Sequence, residues 1–93
     1  MIVRLVKMVI VTPQINQFVD IFKNAETKIA KMQGCISVHL HQDIHQPQTF
    51  FTISKWDNES SLEDYRKSEL FIDTWKRVKP LFEIKAEAWS LHQ

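Results

Sequence analysis

The chain has 93 residues, 44% of them hydrophobic and 11% aromatic, which describes one folded domain with a small core and excludes a disordered chain. Its formal net charge is +1 and Lys and Arg form no block, so no long-range field recruits nucleic acid or an anionic membrane. A single cysteine excludes an internal disulfide and a single glycine excludes the Gly-rich loops that cradle phosphates.

That lone thiol, Cys35, points to a reducing, cytoplasmic setting. The opening run MIVRLVKMVIV is apolar, but Arg4 and Lys7 interrupt it and no small-residue cleavage site follows. It reads neither as a signal peptide nor as a membrane span.

Residues 2–11 are rich in Val and Ile and too short for a buried helix, so they predict a strand. Both alternating sets are apolar: Ile2, Val6, Met8 and Ile10 on one face, Val3, Leu5, Val9 and Val11 on the other. A strand of that kind is covered on both sides. Thr12 and Pro13 read as a cap and a first helical residue. Ile15, Phe18, Val19, Phe22, Ile29 and Met32 then share one face of a helix of about five turns. Lys28 and Lys31 suit the negative end of its dipole, and Gly34 is the left-handed residue expected just past its end.

Cys35 to Asp43 alternates, with Ile36, Val38 and Leu40 on one face and Cys35, Ser37, His39 and His41 on the other. Residues 44–48, with Pro47, are a loop. Thr49 to Trp56 is a strand with Phe51 and Ile53 on one face and Phe50, Thr52, Ser54 and Trp56 on the other. From Trp56 to Phe82 the spacing is helical, in two pieces. Asp57, Asn58 or the Ser60–Glu63 capping box starts the first, on which Leu62 and Tyr65 share a face. Ser68 caps the second, where Phe71, Trp75 and Val78 form a stripe, and Pro80 ends it near Lys79. Ile84 to Leu91 is a last strand, with Ile84, Ala86, Ala88 and Ser90 facing away from Lys85, Glu87, Trp89 and Leu91.

The order predicts an α+β, ferredoxin-like β-α-β-β-α-β domain with a four-stranded antiparallel sheet, spanning residues 1–93. Helices cover one sheet face. The apolar residues on the other predict a homodimer through that face. The aromatic stripe is open to two compatible readings: core packing, or walls of a pocket in which Trp56, Tyr65, Arg66 and Trp75 meet a flat aromatic ligand. Arg66 reads as a solvated helix residue or an ion-pair partner rather than as a substrate clamp. His39 and His41 point the same way and can offer two ligands to a transition metal, but His45, Asp43 and His92 lack the spacing of a third, so no metal site is expected. Cys35 has no evident activating base.

From end to end the chain resembles the antibiotic biosynthesis monooxygenase family of dimeric α+β barrels. The resemblance runs through VRLVKMVIVTP, the GC that opens the second strand, FFTISKW, SLEDYRKSELF, TWKRVKPLF and AWSL. Its most specific piece is W-x-N-x-x-x-L-x-x-Y-x-x-S-x-x-F, formed by Trp56, Asn58, Leu62, Tyr65, Ser68 and Phe71. Members include enzymes that oxidise phenols or quinols with dioxygen and no metal or flavin, haem-degrading proteins, and proteins without assigned activity. The haem branch uses an axial histidine on the helix after the matched tryptophan and an asparagine in the first strand. Here that helical place falls near Trp75, no histidine lies between Trp56 and Phe82, and residues 2–11 hold no asparagine.

The resemblance therefore implies a cofactor-free monooxygenase. Trp56, Tyr65, Phe71 and Trp75 would bind a small aromatic, phenolic or quinol compound. Thr52 and Ser54 would donate hydrogen bonds to its oxyanion, and His39 (or His41) would serve as base if its face turns inward. The rival is a non-catalytic dimer that binds a hydrophobic metabolite or fills its own pocket. A cavity of at least about 300 Å³ near Trp56, Tyr65 and Trp75 is expected of the enzyme, and none of the packing module.

Overall fold

The computed structural model describes residues 1–93. Strand β1 (Ile2–Val9) lies inside a four-stranded antiparallel sheet with β2 (Cys35–Gln42), β3 (Thr49–Trp56) and β4 (Glu87–His92), in the order β2-β3-β1-β4. Helices α1 (Ile15–Ile29), α2 (Glu59–Arg66) and α3 (Glu69–Val78) complete the ferredoxin-like α+β fold. No helix is long and apolar enough to cross a membrane.

Register follows from the alternation. Val6 faces Thr52 and Ala88, Arg4 faces Ser54 and Ser90, and Met8 faces Phe50. These even-numbered positions turn toward the helices, because Met8, Phe50 and Trp56 are buried in the core with Phe18, Leu62 and Val78. On α1 the buried residues are Phe18, Phe22, Ala25 and Ile29, spaced four, three and four apart, the stripe an amphipathic helix turns inward. Val3, Leu5, Val9, Phe51 and Ile53, at odd-numbered positions of β1 and β3, lie on the outer sheet face and are half-buried. On β4 the outer Trp89 is 40% exposed and Leu91 47%.

Polar side chains set the helix ends. Asn58 Oδ1 accepts from the Ser61 amide at 2.9 Å and starts α2. Ser68 joins α2 to α3: its Oγ accepts from the Phe71 amide at 3.2 Å and donates to the Tyr65 carbonyl at 2.6 Å. Pro80 sits in a 3₁₀ turn, Lys79–Leu81, directly after α3. Gly34 has φ +83°, the left-handed conformation, and its carbonyl accepts from the Asp57 amide at 2.9 Å. The α1–β2 turn is thereby fastened to the start of α2.

Four local expectations change. Thr12 lies inside a 3₁₀ turn, Thr12–Gln14, whose cap position is Val11, so its side chain caps nothing. Helix α1 stops at Ile29, short of Met32. An irregularity between Cys35 and Ser37 breaks the alternation at the start of β2. Cys35 therefore pairs with Trp56 and packs against the core cluster rather than lying with the histidines, while Ile36 is 55% exposed. Finally, β4 begins at Glu87 rather than Ile84, because the chain after α3 first bonds to the end of β1, with the Glu83 amide donating to the Val9 carbonyl at 2.8 Å.

Candidate functional site

Between the helix side of the sheet and the three helices lies a cavity of about 220 Å³. Val6, Met8, Val38, Thr52, Ser54 and Ala88 line it from the strands. Phe18, Phe22, Leu62, Tyr65, Phe71, Trp75 and Val78 line it from the helices. Its volume is below the ~300 Å³ expected of an enzyme pocket and well above the absence expected of a packing module. It exceeds the ~150 Å³ of an engineered apolar cavity that takes up benzene. One substituted ring therefore fits.

An aromatic ladder runs along one side of the cavity, and its middle rungs, Tyr65, Phe71 and Trp75, form the wall. Trp56 stacks on Tyr65 with ring centres 5.0 Å apart, Tyr65 meets Phe71 edge-on at 5.3 Å, Phe71 meets Trp75 at 5.7 Å, and Trp75 meets Phe82 edge-on at 5.4 Å. Stacked and edge-to-face contacts of this kind add stability beyond burial and hold the rings in place. The ladder is possible because α2 and α3 meet at Ser68, which sets Tyr65 beside Phe71.

The polar groups are few. The Ser54 hydroxyl accepts from Trp56 Nε1 at 2.9 Å. Arg4 reaches the cavity from β1 and donates from Nη1 to Ser90 Oγ at 2.9 Å. Arg66 lines the cavity from α2 and pairs with Glu63 at 3.1 Å. Burial, then the positive charge of Arg66, hold the Arg4 guanidinium below its ordinary pKa, and Glu63 offsets part of this. Burial raises the Tyr65 phenol well above its ordinary pKa, with a smaller contribution from Cys35, so Tyr65 stays a hydrogen-bond donor. Burial also raises the Cys35 thiol, which donates to the Ser37 carbonyl at 3.6 Å and is not an activated nucleophile.

Thr52, Ser54, Tyr65, Phe71 and Trp75 are brought together around the cavity. Trp56 is not among its walls: it is fully buried behind Tyr65, tied to Ser54. His39 is not brought in either. It pairs with Ile53 on the outer sheet face, exposed, and the condition for its role as base, an inward-turned face, does not hold. His41 pairs with Phe51 on the same outer face, and the two imidazole rings are 6.4 Å apart. No group of three or more His, Cys, Asp or Glu side chains is placed to hold a metal ion. Sequence reasoning missed Arg4. Its signal was present, since Arg4 is the one charged residue in the otherwise apolar set Ile2, Val6, Met8.

Fold and cavity together define a ferredoxin-like α+β domain that holds an aromatic-walled pocket between sheet and helices. The family described as antibiotic biosynthesis monooxygenase matches residues 1–77, and the chain belongs to that family. Among solved structures, an antibiotic biosynthesis monooxygenase superposes with a TM-score of 0.94 at 15% identity, covering 100% of this chain and 98% of that one. A conserved protein from Methanosarcina mazei Go1 superposes at 0.93 with 19% identity, covering 99% of this chain and 92% of that one. A Mycobacterium tuberculosis protein superposes at 0.92 with 12% identity, covering 99% and 92%. At these identities the likeness is one of fold. No curated protein matches.

Proposed function

We propose that the protein is a cofactor-independent monooxygenase acting on a small aromatic, phenolic or quinol compound, and that it works as a homodimer in the cytoplasm. The observation that carries the reading is the cavity: about 220 Å³, walled by Tyr65, Phe71 and Trp75, with Thr52 and Ser54 on its floor. Membership of the monooxygenase family supports it. In this reaction the bound phenol loses its proton and the electron-rich ring gives an electron to dioxygen. Recombination forms a carbon–oxygen bond to a hydroperoxide. Loss of water then breaks the O–O bond and leaves a quinone, so that one phenol and one O₂ give one quinone and one H₂O. Thr52, Ser54 and Tyr65 stabilise the oxyanion, and the aromatic wall orients the ring. No carboxylate or imidazole lines the cavity, so the proton leaves to water rather than to a side chain.

The dimer is supported by the outer sheet face, where Val3, Leu5, Phe51 and Ile53 continue into Trp89 and Leu91. A two-fold contact of that face with its own copy covers them. Light scattering on a sizing column that gives a single-chain mass at micromolar concentration sinks the dimer. The cytoplasmic setting is supported by the free thiol of Cys35, which has no disulfide partner within the chain.

A non-catalytic module that binds a hydrophobic metabolite is the second reading, favoured by the absence of a lining base and by the modest volume. Oxygen uptake with a panel of quinols and polyphenols, in the presence of chelator, separates the two. Uptake above the spontaneous rate supports the oxygenase; tryptophan quenching without uptake supports the binding module.

A further inference from the structure

The charged lining of the cavity has a single electrostatic sense. Arg4, Thr52, Ser54, Tyr65, Arg66 and Thr74 all carry hydrogen-bond donors, and no carboxylate, imidazole or carboxamide accompanies them. Two of the six are guanidinium groups. Arg66 shares its charge with Glu63 at 3.1 Å. Arg4 takes part in none of the ion pairs; its partner, at 2.9 Å, is the neutral hydroxyl of Ser90.

A charge in that position is unusual. Arg4 stands on the helix side of the sheet between Ile2 and Val6, half-buried, with Ser54 and Ser90 as its cross-strand neighbours. Desolvation and the like charge of Arg66 both act against it. Glu63 offsets part of this, but its carboxylate is already paired with Arg66. With two guanidinium groups that stay charged and one carboxylate between them, the site keeps a net positive charge against an apolar cavity. A bound anion removes that cost and gains charge-assisted hydrogen bonds.

We propose that the occupant of the cavity is an aromatic anion: a single ring against Tyr65, Phe71 and Trp75, with its carboxylate or phenolate oxygen held by Arg4 and Arg66. The proposal rests on the reading of the cavity as a ligand site and names the class of ligand. It also explains how a site with no lining base handles an acidic substrate. The positive pair favours the ionised form, and the electron-rich anion is the form that reacts with dioxygen.

The test is calorimetric titration of the intact protein with benzoate against benzamide, and with 4-nitrophenolate against 4-nitroaniline. In each pair the ring and the number of heavy atoms are kept, and a neutral amino group replaces the charged oxygen. The expected result is at least about tenfold tighter binding of one or both anions, the size of a charge-assisted hydrogen bond. Preference in the first pair alone assigns a carboxylate; preference in the second alone assigns a phenolate. Arg4→Met and Arg66→Met, which keep the packing of the aliphatic stem, are expected to abolish the preference, read as the ratio of anion to neutral affinity. If Arg4→Met does not fold, Arg4→Lys, which keeps the charge but not the fork, is expected to reduce the preference without abolishing it. Equal binding of anion and neutral isostere overturns the proposal and leaves the cavity a ligand site. Binding of none of the four probes overturns both.

Discussion

Ser54 stands at a floor position where a donor to substrate is wanted, and it also holds Trp56. The indole is 0% exposed and its Nε1 donates to Ser54 Oγ at 2.9 Å. Ser54→Ala leaves that N–H buried with no acceptor, which costs about 1–3 kcal/mol. For a domain of this size each kcal/mol moves Tm by about 4–8 °C, so a fall of roughly 5–20 °C is expected. Trp56→Phe removes the donor, and in that background Ser54→Ala should cost less by about 1–2 kcal/mol. The assay is urea denaturation of the four proteins of the cycle at one fixed protein concentration, since the stability of the proposed dimer depends on concentration. Additivity within about 0.3–0.5 kcal/mol refutes the reasoning, because it means the hydrogen bond carries no coupling. The result bears on function. Turnover lost in Ser54→Ala reports a missing oxyanion donor only after this structural cost is subtracted. Thr52→Val leaves the Ser54–Trp56 bond intact and is the cleaner test of a donor at the floor.

Gly34→Val is expected to lower stability strongly. Its φ is +83°, and a Cβ there meets the Ser61 side chain and approaches Asp57 Oδ1 to 2.6 Å. The left-handed strain costs about 1–2 kcal/mol and overpacking a further ~1–3 kcal/mol, read as a loss of Tm; an unchanged Tm contradicts the fastening of the α1–β2 turn to α2. Trp75→Phe is expected to keep the fold and the proposed dimer while lowering the proposed oxygenase turnover, because it alters a cavity wall between Phe71 and Phe82; unfolding would make Trp75 a core residue instead. Tyr65, the only tyrosine, has a raised pKa in the folded chain. The unfolded chain thus loses the phenolic proton first, so stability falls as pH rises past about 10, the ordinary tyrosine value. Ultraviolet absorbance should show tyrosinate only together with alkaline unfolding. A reversible titration near pH 10 in folded protein would contradict the burial of that hydroxyl.

How much of this was legible depends on the kind of regularity involved. The two faces of β3 could be read from the alternation of Phe50 to Trp56, and the caps Asn58 and Ser68 from side chains that bond within three residues of themselves. Such signals are local. The misplacement of Cys35 is local too, but a one-residue irregularity erases the period that a face assignment rests on. Trp56 shows the other limit. Its face was legible and its depth was not, because which member of the stacked Trp56–Tyr65 pair meets the cavity depends on where α2 lies over the sheet. The pairing of Arg4 with Ser54 and Ser90 needs the register of three strands that are far apart in sequence.

That register also divides the labour of the sheet. In β1 and β3, Arg4, Val6, Met8, Thr52 and Ser54 face the cavity, whereas Val3, Leu5, Phe51 and Ile53 lie on the opposite side. Adjacent residues therefore serve different surfaces. A charge introduced at Leu5 should disturb assembly of two copies before it disturbs the binding of a small anion, and neutralising Arg4 should do the reverse. Dimer mass and benzoate affinity, measured on both variants, distinguish the two surfaces. If both readouts fail together in each variant, the sheet acts as one coupled unit and the separation by face is wrong.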